Sequence, residues 1–90
     1  MEIAEMLNNK GNMRLSRVQS FLESRGWHYT YSEEDECGSI DFEYRGLAYH
    51  IWEFNDGGRG VETNLRHGGR NEDIFGDYEI ELLEIMKDWH

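Results

Sequence analysis

The densest run of potential ligands in the chain is Glu33-Glu34-Asp35-Glu36-Cys37-Gly38. With Glu33 as loop position 1, Asp35 falls at position 3 and Gly38 at 6, part of the pattern of an EF-hand calcium loop. Cys37 at position 5 and Tyr44 at position 12 break it, and the sequence that follows reads as a strand rather than a helix. A solvated acidic turn accounts better for the run. His28, His50, His67 and His90 have no recognised zinc spacing, and a single cysteine cannot complete a structural zinc site. Cys37 sits among carboxylates, which disfavour its thiolate and argue against a nucleophile. Gly57-Gly58-Arg59-Gly60 and Gly68-Gly69-Arg70 lack the Lys-Ser/Thr that a phosphate cradle requires, so they read as a hairpin turn and a loop. Carboxylate pairs such as Asp41/Glu43 and Glu53/Glu62 are too numerous for one to be singled out as an acid/base dyad. No metal, cofactor or catalytic residue is expected.

What remains is recognition chemistry. The chain carries 19 Asp and Glu against 9 Lys and Arg, a formal net charge of −10. That charge argues against direct binding to nucleic acid or to an anionic membrane surface, and it suits a protein partner with a basic surface. It also serves solubility. The chain has 3 Trp, 5 Tyr and 4 Phe, enough for the core of one small domain. Nothing resembles a signal peptide or a membrane span, and cytoplasmic residence is the default expectation.

The elements that position these groups are organised around Leu47 to Phe54. Leu47, Tyr49 and Ile51 lie on one alternating face of this stretch, and Ala48, His50, Trp52 and Phe54 on the other. A strand apolar on both sides belongs in the interior of a sheet. Asn55-Asp56-Gly57-Gly58 predicts a turn, and Val61 to His67 a returning strand. Before it, Trp27 to Ser32 and Ile40 to Tyr44 alternate as half-buried strands.

Leu15, Val18 and Leu22 predict a helix from Met13 to Arg25, with Asn12 as N-cap and Gly26 past its end. Tyr78, Leu82, Ile85, Met86 and Trp89 form the apolar stripe of a last helix, with Asp77 as N-cap and Ile80 and Leu83 widening the stripe. Glu72 to Gly76 reads as a turn of 3₁₀ helix. Residues 1–12, with Ile3, Met6 and Leu7 at helical spacing, read as an appendage to a single domain over 13–90, and Met13 is an alternative start of translation.

The fold class is therefore α+β: a four-stranded antiparallel meander with an N-terminal and a C-terminal helix packed on one face. The other face is open, and the turn at Arg45-Gly46 decides what it shows. A two-residue turn pairs Tyr44 with Leu47 and sends His50, Trp52 and Phe54 outward beside Asp41 and Glu43. A three-residue turn sends Tyr49, Ile51 and Glu53 outward instead. The first register is favoured, so Asp41, Glu43, His50, Trp52 and Phe54 are the expected binding residues. The function expected is a non-catalytic module recognising a basic protein surface, in its sharpest form an inhibitor mimicking nucleic-acid charge. The alternatives are a homodimer closed through the open face and, less favoured, a small enzyme or metal-dependent domain.

Overall fold

The computed structural model describes residues 14–89. Asn12, its expected capping role and the Ile3/Met6/Leu7 turn lie outside the described residues. The order is α1 (Ser16–Ser24), β1 (Tyr29–Glu34), β2 (Cys37–Tyr44), β3 (Leu47–Asn55), β4 (Arg59–Thr63), a 3₁₀ turn (His67–Gly69), β5 (Glu72–Phe75) and α2 (Tyr78–Met86). The strands form one antiparallel sheet in the order β1-β2-β3-β4-β5, with β3 at its centre. None of the described helices is long and apolar enough to cross a membrane.

The sheet has five strands, not four. Glu72 to Phe75 is a strand paired with β4 and not a 3₁₀ turn; the 3₁₀ turn lies earlier, at His67–Gly69. Its four residues are too few to display a period, and tertiary pairing supplies what local propensity lacks. Arg66 holds the loop between β4 and β5, its Nε 2.7 Å from Glu72 and its Nη2 3.1 Å from Glu81 on α2. β4 accordingly begins at Arg59 and ends at Thr63, earlier at both ends than Val61 to His67.

The first hairpin is tighter than the acidic run suggested. Only Asp35 and Glu36 form the turn, both with positive φ (53° and 63°), and β1 and β2 extend to meet them. Trp27 and His28 precede β1. A two-residue loop of this hand matches the twist of the flanking strands, which holds the ladder together despite poor turn residues. Arg45 and Gly46 make the second such turn and set Tyr44 opposite Leu47 and Phe42 opposite Tyr49.

Both helices cover the face carrying Ile40, Phe42, Ile51, Val61 and Ile74. Val18 and Leu22 of α1 and Leu82 and Met86 of α2 are buried against them, while Ile85 is partly buried and Ile80 exposed. Leu15 carries a left-handed φ of 56°, so α1 starts at Ser16 and not at Met13. That conformation costs about 1 kcal/mol or more in a non-glycine residue. The backbone of Arg14 is held on both sides: its N–H donates to Tyr31 Oη (3.0 Å), and its carbonyl accepts from buried Gln19 (2.9 Å). At the other end of α1, Gly26 (φ 74°) closes the helix, with Trp27 N–H donating to Leu22 O.

The helices run parallel: Arg17 bridges to Asp77 and Glu79 at the start of α2, and Arg25 donates to the carbonyls of Lys87 and Trp89 at its end. Asp77 occupies the N-cap position of α2, but its side chain faces Arg17 rather than capping the helix. Trp27 and Trp89 pack among Phe42, Tyr44 and Tyr49 at the edge of the core, with ring centroids 4.7 to 6.5 Å apart.

Candidate functional site

Strand alternation and the register place Asp41, Glu43, His50, Trp52 and Phe54 together on the face turned away from the helices. Among the described residues, no element covers this face. Trp52 is 40% exposed at its centre. Its indole stacks on His50 with centroids 4.1 Å apart, and its N–H donates to Asp41 Oδ1 at 3.2 Å. The ring is therefore fixed by two neighbours in the adjacent row, His50 and Asp41. His50 Nε2 lies 3.6 Å from Glu62 Oε2, without a hydrogen bond. The His50 backbone N–H donates to Asn64 Oδ1 at 2.9 Å.

Phe54 occupies the other end of the aromatic stripe, edge-on to Phe75 at 5.5 Å. Both rings close over Gly60. A Cβ there would stand 2.7 Å from the Ile74 carbonyl oxygen and 3.0 Å from Phe54 Cζ. The missing side chain makes room for aromatics from the neighbouring strands. Phe75 is 57% exposed and escaped sequence reasoning because β5 did. Glu62 and Asp73, opposite each other on β4 and β5, share the same face and complete its acidic rim.

The opposite side of β3 holds a group that the sequence reading passed over. Glu53 lies inside, its side chain 2% exposed. Oε1 accepts from Arg14 Nε (3.1 Å) and Gly38 N (2.8 Å); Oε2 accepts from Arg14 Nη2 (3.2 Å) and Tyr78 Oη (2.5 Å). Arg59 Nη1 stands 3.9 Å away. Burial alone would raise the Glu53 carboxyl, but Arg14, Tyr78 and the Gly38 amide together hold it below the usual carboxylate range. Burial, and then the hydrogen bond to Glu53, push the Tyr78 phenol above its ordinary value.

The acceptor positions of this carboxylate are filled. It fastens the segment before α1 to β2, β3 and α2, and has no lone pair to spare for a substrate proton. The cleft beside it, about 470 Å³, is also lined by Arg17, which pairs with Asp77 and with Glu79 Oε1 across it. One signal was available: the register that turns Trp52 outward turns Glu53 inward, and a buried carboxylate requires a cation.

Among the described residues, no group of three or more His, Cys, Asp or Glu side chains is arranged to hold a metal ion. Comparison of the chain with protein-family models, with curated proteins and with solved structures finds no match.

Proposed function

We propose that this protein is a non-catalytic binding module that recognises a basic protein surface through its open sheet face. One observation carries the reading. By strand alternation, Glu34, Asp41, Glu43, Glu62 and Asp73 point away from the helices around Trp52 and Phe75, and among the described residues no outward strand position holds Lys or Arg. Among the described residues, Arg59 is the one Lys or Arg on a strand, and it is on the helix side beside Glu53. An acidic rim around an aromatic centre supports steering of a basic partner, followed by burial of the rings. In its narrowest form the partner is a protein whose nucleic-acid groove this face would fill, with carboxylates in place of phosphates.

The test is a comparison of two charge reversals of equal size. Asp41→Lys with Glu43→Lys alters the open face; Glu84→Lys with Asp88→Lys alters the region of α2. Association with polylysine, followed by tryptophan fluorescence in stopped flow, should slow more in the first variant, and the parent's affinity should fall as salt rises. Equal slowing in both variants would reduce the effect to net charge and remove the case for this face. A dimer of the protein by light scattering, strengthened by salt and broken by Trp52→Ala, would replace the reading with self-association.

A further inference from the structure

The outward face is not uniformly filled. Thr30, Asp41 and His50 stand side by side on β1, β2 and β3, and in the next row Glu43 stands beside Ala48. Beside the single methyl of Ala48 lies a shallow hollow of about 390 Å³, rimmed by His28, Thr30, Asp41 and Glu43; Tyr29, Phe42 and Tyr49 between these positions contribute to its mostly apolar lining. Asp41 and Glu43 are both exposed, two positions apart on the same strand, on the order of 7 Å along it. Trp52 fixes one oxygen of Asp41. Among the described residues no hydrogen bond or ion pair engages the Glu43 carboxylate.

We infer that this hollow seats a lysine or arginine side chain of the basic partner, its aliphatic stem on Ala48 and its charged head between Asp41 and Glu43. The inference rests on the function proposed above and gives that face its anchor point. The match is one of complementary chemistry. An acidic side chain would meet two carboxylates, and a wholly apolar one would strip water from them without replacing it. A long cationic side chain has an apolar stem and a cationic head, so it satisfies floor and rim together. Trp52 lies beyond the Asp41 side of the seat, its indole N–H on Asp41 Oδ1, where it offers the partner an aromatic contact beside the charged one.

The experiment titrates the full chain at low salt with octalysine and with an octamer of 2,4-diaminobutyric acid, whose ammonium groups sit on stems two methylenes shorter. If one stem is seated, octalysine should bind about tenfold more tightly, the contribution of two buried methylenes. Ala48→Leu fills the hollow and leaves every charge in place. It should abolish that preference while charge-driven binding persists. Ala48→Val is read in the same way should the leucine variant fail to fold.

Equal affinity for the two peptides, or a preference that survives at position 48, overturns the seat and leaves the proposed function standing. If neither peptide binds the parent more tightly than it binds Asp41→Lys with Glu43→Lys, the proposed function falls and the seat with it.

Discussion

Replacing Arg14 with methionine should do more than weaken the fold: it should change the sign of what Glu53 contributes to stability in acid. In the parent, Glu53 is held below the carboxylate range when folded. Such a group contributes stability that is present above its unfolded value of about 4.5 and is lost as pH falls through the lower folded value. Without Arg14, burial is opposed by Tyr78, the Gly38 amide and the more distant Arg59, and the folded carboxyl rises. A raised carboxyl has the opposite sign: its contribution is complete below the unfolded value and is lost as pH rises through the folded one.

Breaking a buried pair costs about 3–5 kcal/mol. The Arg14 side chain is 36% exposed, so its charge is already partly screened, and about 3 kcal/mol at neutral pH is the reasonable expectation. A 90-residue domain is stable by roughly 5–13 kcal/mol, so the loss is a large share. It should lower the melting temperature by about 12–24 °C. Urea titration followed by circular dichroism from pH 7 down to pH 4 reads both effects. Arg14→Met should lose less stability over that range than the parent, because Glu53 no longer adds to the acid loss, and Glu53→Gln in the variant background should recover part of the neutral-pH loss. An Arg14→Met protein that loses stability on acidification as steeply as the parent would refute the reasoning.

Two further perturbations probe the scaffold. Leu82→Ala removes a fully buried side chain and should cost about 2–5 kcal/mol, while Ile85→Ala, only partly buried, should cost less; an unchanged melting temperature for Leu82→Ala would contradict the packing of α2. Gly60→Ala should destabilise by about 1–3 kcal/mol in urea titrations, because its methyl meets the Ile74 carbonyl at 2.7 Å and cannot be relieved by turning a side chain.

Much of the fold was legible because it rests on short periods. Val18 and Leu22 in α1, and Leu82 and Met86 in α2, repeat at helical spacing and are buried. The Arg45-Gly46 turn fixed a register that placed the candidate face correctly, since strand alternation leaves only two choices. What escaped depends on distance along the chain. Glu53 takes its partners from Arg14 and Tyr78, 39 and 25 positions away, and nothing local announces them. β5 consists of two acids, Ile74 and Phe75, a pattern that becomes a strand only when β4 lies alongside. The tight first hairpin was hidden for a related reason: Asp35-Glu36 is a poor pair for a turn that the twist of the strands nevertheless selects.

The sequential order of the sheet has a kinetic consequence. The first three hairpin turns close over two or three residues and β4 meets β5 across a single longer loop, so every strand finds its neighbour by a local search. Such short closures are fast, and the sheet can zip from hairpin to hairpin without waiting for remote parts of the chain. The helices are different. Arg17 must find Asp77 across 60 positions, and Arg25 must find the carbonyl of Trp89 across 64. The two ends of the domain therefore meet across its longest loops, whose closure carries the greatest entropic penalty. That places helix docking late in folding. Until it happens, Ile40, Ile51 and Val61 are bare on the face that α1 and α2 will cover, so the nascent sheet is apolar on one side and aromatic on the other. A chain paused at that stage has two adhesive faces, and its carboxylates are the charge that keeps such sheets apart.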